Sequence, residues 1–308
     1  MSLSLRGKTI FFLGCLAAVS LCSLQSLAAQ NLTFADIKKL PVPPGAHLVS
    51  YGNDPSQFGE LRLPQRKGPY PVVVVIHGGC WYSEYSLSHI ANFNASLTRL
   101  GVATWSLEYR RIGNPGAGFP GTFADVASGT DYLRVLARSY PLDLKRVIVI
   151  GHSAGGQLAL WLAARPRLAK DSLLYSNYPL RLRGIVSLAG ITDLRRYRPN
   201  CGEAVNKLLG GPPEEFPYRY EQTSPIELLP LKVEQHLIHG ALDNIVLADF
   251  SRDYETAARK QGDRVRLTIV ANAGHFDLIA PQSSAWPAVE KAVRSLLMVK
   301  TRHQRTSP

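Results

Sequence analysis

The 308-residue sequence predicts an α/β architecture, with a mostly parallel central sheet covered by helices on both faces and a small cap insertion. Three observations predict it. Residues 70–76 (YPVVVVI) and 147–150 (VIVI) are apolar and β-branched without alternation, as strands buried on both faces read. Such runs alternate with segments of helical spacing, the order that right-handed crossovers produce. Glycine-rich polar segments stand directly after the strands, where sheets of this kind carry their chemistry.

At the start of the chain, Arg6 and Lys8 precede an apolar stretch from residue 10 to about 24, followed by Ser26-Leu27-Ala28-Ala29-Gln30. Basic, then apolar, then small residues read as a secretory signal over 1–28, leaving 29–308 as a single catalytic domain that is exported, periplasmic or secreted. An uncleaved anchor, or a lipoprotein attached through Cys15 or Cys22, is the alternative. An anchor needs a longer apolar span, so no stable membrane insertion is expected after cleavage.

Residues 47–51 and 58–63 fit an antiparallel hairpin at a sheet edge. The buried strand 70–76 follows, then strand 102–109 and a glycine- and proline-rich loop over 110–121. Phe123, Val126, Tyr132, Leu133 and Leu136 repeat at helical spacing and predict a helix over 122–140 with Thr122 as its cap. Strand 147–150 leads into a helix over 155–165, and 182–188 is a further strand. Residues 193–227, with Pro199, Cys201, Gly210-Gly211 and Pro212-Pro213, read as an irregular cap insertion. Strand 235–238, helix 248–261, strand 265–270 and helix 286–299 complete the chain.

Composition narrows the function classes. Hydrophobic residues make up 45% and charged residues 19%, which excludes general disorder. A formal charge of +12 raises nucleic acid or an anionic envelope polymer as a partner. The basic residues are scattered, however, over Arg110-Arg111, Arg181, Arg183, Arg195-Arg196-Arg198 and the tail at 300–305, with no zinc finger or aromatic RNA-binding motif. A solvated face is the reading, with no nucleic-acid partner. No His/Cys/Asp cluster has metal-ligand spacing, and neither a metal nor another cofactor is expected. After signal removal only Cys80 and Cys201 remain, which permits one disulfide or leaves two free thiols. Asn31 and Asn94 stand in N-x-S/T acceptor patterns.

Gly151-His152-Ser153-Ala154-Gly155 places a serine between a strand and a helix. A serine at the apex of such a turn has a strained backbone and close neighbours, so only glycine fits on either side, and the first helix N–H groups face it. Gly78 and Gly79 follow strand 70–76 and let backbone N–H groups approach a substrate; with the Ala154 N–H they form a candidate oxyanion hole. Asp243 follows strand 235–238 and His275 follows strand 265–270. His275 would take the Ser153 proton and Asp243 would orient the imidazole. Asp193 is the runner-up acid. Asp277 stands too near His275 to be first choice, and His77, His152 and His239 read as loop-bonding side chains. Trp81, Tyr82 and Tyr85 line an aromatic subsite or pack under the cap.

Together, His77-Gly78-Gly79-Cys80-Trp81 and Gly151-His152-Ser153-Ala154-Gly155-Gly156 resemble the kynurenine formamidase and carboxylesterase branch of the α/β-hydrolases, related to the hormone-sensitive-lipase-like esterases. The order Ser153, Asp243, His275 is that of the superfamily, and the resemblance runs from residue 70 to the last helix. It implies an α/β-hydrolase fold and a serine hydrolase. Lipase-like relatives carry a further glycine where this chain has Cys80, which favours the formamidase-like side. Kynurenine formamidases are typically intracellular, whereas this chain reads as exported. The expectation is therefore an exported serine hydrolase cleaving an ester of a small or aromatic acid. An arylformamidase, amidase or peptidase on the same triad is the alternative, and a non-catalytic binding protein of the same fold is a second.

Overall fold

A computed structural model describes residues 31–297. The proposed signal over 1–28 and the basic tail lie outside the described residues. Eight strands form one sheet: β1 (His47–Ser50), β2 (Phe58–Arg62), β3 (Tyr70–Ile76), β4 (Ala103–Leu107), β5 (Leu142–His152), β6 (Gly184–Leu188), β7 (Glu234–Gly240) and β8 (Val265–Val270). Their spatial order is β1-β2-β4-β3-β5-β6-β7-β8. The first two strands pair antiparallel at one edge, β2 also runs antiparallel to β4, and every other pair is parallel. This is the mostly parallel sheet that the unalternating runs imply.

The β-branched run of β3 divides its side chains between two cores. Val72, Val74 and Ile76 enter one, and Val73 and Val75 the other. Helices α1 (Phe34–Lys39), α2 (Ala91–Arg99) and α10 (Trp286–Leu297) cover one face with Ile37, Phe93, Leu97, Val289 and Val293. Helices α3 (Gly121–Asp131), α4 (Leu133–Leu136), α5 (Ala154–Ala164) and α9 (Asp249–Lys260) cover the other with Phe123, Val126, Leu133, Leu158, Trp161, Phe250 and Tyr254. α5 is buried along its whole length, which its alternation of small and apolar residues allows.

Several expectations need correction. The single helix over 122–140 is two helices that break at Tyr132 and end at Leu136, and Thr122 is no cap. Thr122 lies inside α3, where its hydroxyl donates to the Arg110 carbonyl at 2.6 Å and accepts the Gly118 N–H at 3.0 Å. Residues 193–227 are not irregular. They hold α6 (Leu194–Tyr197), α7 (Ala204–Leu209), α8 (Pro217–Thr223) and a 3₁₀ turn at Pro225–Leu228, short elements whose glycines and prolines masked their periodicity. Helices α1 and α2 had no counterpart in the sequence reading. Asn94, on α2, is fully buried, so the folded chain cannot present it for glycosylation.

The serine turn sets the tightest constraint. A Cβ at Gly155 would collide with the Ile76 and His77 carbonyls of β3 and its exit loop, and one at Gly151 with the Gly155 backbone. Backbone cannot yield as a side chain can. Gly155→Ala should therefore cost about 3 kcal/mol of folding stability or abolish soluble protein; urea denaturation of variant and parent measures it, and a loss under 1 kcal/mol would contradict the close packing.

Candidate active site

β5 delivers Ser153 to the carboxyl end of the sheet with φ 55° and ψ −120°, the left-handed region that costs a non-glycine residue about 1–3 kcal/mol. Hydrogen bonds hold it there. Its N–H donates to the Leu188 carbonyl at 2.9 Å, and its own carbonyl accepts the N–H groups of Gly156 at 2.9 Å and Gln157 at 3.2 Å.

Gly78 and Gly79 leave the neighbouring strand β3 and lie against this turn. A Cβ on Gly78 would approach the His152 carbonyl to 2.8 Å and Ser153 Cβ to 3.0 Å, while Gly79 has φ +109° and presses on Tyr85. Among the described residues, the N–H groups of Gly78, Gly79 and Ala154 donate to no protein acceptor. Three unpartnered donors beside one hydroxyl are what a developing oxyanion requires. The loop is held from behind: His77 Nε2 lies 2.9 Å from Glu108 Oε1 and Nδ1 lies 2.8 Å from the Gly78 carbonyl. Glu108 also takes Arg111 at 2.6 Å and the Leu87 N–H at 3.1 Å. Burial alone would raise its carboxyl, but His77, Arg111 and that N–H hold it below its ordinary value.

Asp243 and His275 meet across the ends of β7 and β8. His275 Nδ1 donates to Asp243 Oδ2 at 2.6 Å, and Oδ1 accepts the N–H groups of Ile245 at 2.9 Å and Val246 at 3.0 Å. His239 Nε2 stands 3.4 Å from Asp243 Oδ2, but the Val246 carbonyl at 2.7 Å is the better acceptor of its hydrogen. Burial opposes the Asp243 charge; the hydrogen bonds from His275 and from the Ile245 N–H outweigh it and hold the carboxyl well below the usual range. Asp243 thus stays ionised against the His275 ring. His275 and Ser153 line one cavity of about 200 Å³, together with Gly79, Phe34, His89 and Phe276. Ser153 Oγ and His275 Nε2 have no protein hydrogen-bond partner among the described residues. Ser153 and His275 thus face one cavity, and Asp243 is bonded to His275 behind it.

Other picks fall elsewhere. Asp193 caps α6 through the Arg196 N–H at 3.0 Å. Trp81 does not line the cavity: it is 0% exposed in the core, and its indole N–H donates to Gln157 Oε1 at 3.2 Å. Tyr82 is likewise turned away, its hydroxyl bonding the Cys201 and Gly202 carbonyls at 3.2 and 3.1 Å. A positive φ at Trp81, 57°, swings that stretch of loop so that Tyr85 faces the cavity instead. Cys80 and Cys201 form a disulfide, with Cα atoms 6.2 Å apart, joining the Gly78-Gly79 loop to the 193–227 segment. Among the described residues no group of three His, Cys, Asp or Glu side chains is placed to hold a metal, and no helix is long and apolar enough to cross a membrane.

Sequence reasoning missed Phe34, His89 and Phe276 as lining residues. Only Phe276 carried a signal, by standing next to His275; the other two lie in stretches without motif or periodicity.

Sheet order, serine turn and the Asp243–His275 pair define an α/β-hydrolase. Known folds agree. A truncated carbohydrate esterase from gut microbiota superposes with a TM-score of 0.72 at 21% identity, over 83% of this chain and 97% of that one. Esterase 2 of Thermogutta terrifontis, phosphonylated by sarin, gives 0.68 at 19%, over 83% and 95%. A curated relative, the isoprenylcysteine alpha-carbonyl methylesterase of Arabidopsis thaliana, is 23% identical over 245 residues, 75% of this chain, which spans only 56% of that relative's length. Residues 60–257 match the BD-FAE model, and the chain belongs to this α/β-hydrolase esterase family.

Two measurements follow from the geometry. His89 is pushed down to about 3 by burial and the neighbouring His77, and His152 lies well below the usual imidazole range through burial and the His275 ring. Both are neutral when folded, so their full stability is present above the unfolded value near 6.5 and is lost as pH falls below it. Unfolding free energy from urea titrations should drop by about 1 kcal/mol per histidine between pH 6.5 and 5.5, and His89→Phe should lessen the drop. Reduction of the disulfide, which closes a loop of sequence separation 121, should lower stability by about 2–4 kcal/mol. Non-reducing peptide mapping should recover Cys80 and Cys201 in one linked species.

Proposed function

We propose that this chain is an exported serine carboxylesterase that cleaves an ester of a small or aromatic acid through Ser153, His275 and Asp243. The single observation that carries the reading is the 2.6 Å bond from His275 Nδ1 to the ionised Asp243, in a cavity that also presents Ser153. With Nδ1–H held by Asp243, Nε2 is the free lone pair that accepts the Ser153 proton. The serine oxygen attacks the ester carbonyl, and the negative oxygen is received by the N–H groups of Gly78, Gly79 and Ala154. His275 then passes the proton to the departing alcohol, and water, activated the same way, releases the acid.

The cavity of about 200 Å³ is smaller than the ~300–1,000 Å³ of pockets for drug-sized ligands. It suits a short acyl group or one aromatic ring. The methylesterase and carbohydrate-esterase names of the similar proteins support an ester as the substrate, and the basic-apolar-small leader supports export.

The test is a panel of aryl acetates and butyrates, a feruloyl ester and N-formylkynurenine. Ser153→Ala should lower ester turnover by about 10⁴-fold or more, and Asp243→Asn by about 10⁴-fold. Turnover of the formamide in preference to the esters would make the chain an amide hydrolase. Absence of all turnover, with no phosphonate labelling of Ser153, would leave a binding protein of this fold.

A further inference from the structure

The residues ahead of β1 reach the site by a route that the sheet itself does not require. Thr33 and Asp36 cap α1 reciprocally: the Thr33 hydroxyl accepts the Asp36 N–H at 3.3 Å, and the Asp36 carboxylate accepts the Thr33 N–H at 3.1 Å. Ile37, 2% exposed, pins the helix into the core cluster that also holds Ile90 and Leu278. At the other end, the Leu32 N–H donates to Asp277 Oδ2 at 3.3 Å, and the same oxygen accepts the Gly274 N–H at 2.9 Å. One carboxylate oxygen therefore ties residues 31–39 to the turn that carries His275.

Anchored at both ends, this strap places the Phe34 ring in the cavity of Ser153. Its centroid lies 5.2 Å from Tyr85 and 5.5 Å from His89, both edge-on, and 5.7 Å from Phe276. Tyr85 and His89 follow the oxyanion loop, and Phe276 follows His275. Phe34 thus closes the gap between two loops that the sheet leaves open, and it does so with apolar surface alone. Removing the ring enlarges the cavity without deleting a hydrogen bond of the site.

We propose that Phe34 is a specificity-determining residue: its ring is the wall that limits the bulk of the ester group lodged between the oxyanion loop and the His275 turn. This rests on the esterase reading above. A pocket wall discriminates by size because each methylene it excludes or admits changes the transition-state binding of the long substrate and not of the short one.

The experiment compares kcat/KM for p-nitrophenyl esters from acetate to octanoate, and for acetates of alcohols of increasing size, in the parent, Phe34→Ala and Phe34→Trp. The quantity read is the ratio of the bulkiest substrate to the smallest within each series, which a general loss of active protein does not move. Phe34→Ala should raise the ratio about tenfold in at least one series, and Phe34→Trp should lower it. The same order should appear in labelling of Ser153 by small and bulky phosphonates, read by mass spectrometry. Ratios unchanged across all three proteins, with an active parent, would overturn the proposal and leave the esterase reading intact. A parent that neither turns over any ester nor labels removes both together.

Discussion

Three backbone segments meet around Ser153 with no room for a single extra carbon atom. The end of β5, the first turn of α5 and the exit of β3 approach so closely that Gly151 and Gly155 cannot carry a Cβ. That contact forces Ser153 into its left-handed conformation, aims its hydroxyl out of the sheet, and lays the Gly78 and Gly79 amides beside it. The parallel core beneath exists in a form that can bear this strain. Strands β3, β4 and β6 are buried on both faces, and the Leu188 carbonyl of the adjacent β6 locks the serine N–H. Strain and rigidity are thus two sides of one arrangement, in which a well-packed sheet holds a turn that no isolated peptide would keep.

Charge around the site is arranged by the same economy of space. Asp243 keeps its charge in a buried setting because every lone pair that faces protein finds a donor, two of them backbone N–H groups of its own loop. His152, its ring tilted against that of His275 with centroids 4.5 Å apart, stays neutral and donates Nε2–H to the His275 carbonyl at 3.0 Å. The His275 ring thus lies between one ionised carboxylate and one uncharged ring.

How much of this was legible in the sequence depended on how local the cause was. The unalternating β-branched run of β3 announced a doubly buried strand, and the glycine spacing around Ser153 announced the turn, because both are dictated by neighbours within a few residues. Asp243 and His275 were found from their position after strands, a rule of topology. The cavity wall was not legible. Phe34 comes from a six-residue helix whose place depends on Asp277, over two hundred residues later, and no periodicity encodes that. The adjacency of Trp81 and Tyr82 to the oxyanion loop suggested lining residues, whereas the loop's left-handed backbone at Cys80 and Trp81 turns the one into the core and the other toward the 193–227 segment. Helices α3 and α4 read as one for a similar reason: apolar spacing continues across Tyr132, whose backbone stays in the right-handed helical region between them.

The link between Cys80 and Cys201 has a topological meaning apart from its strength. Ser153 lies between the two cysteines in the chain, so it belongs to a covalently closed ring, while Asp243 and His275 lie outside it. A protease that nicks an exposed loop anywhere inside that ring, such as the one bearing Leu173 and Tyr178, opens the ring without dividing the molecule. The two ends stay joined through sulfur, and the cut enzyme keeps its serine tethered to the rest of its site.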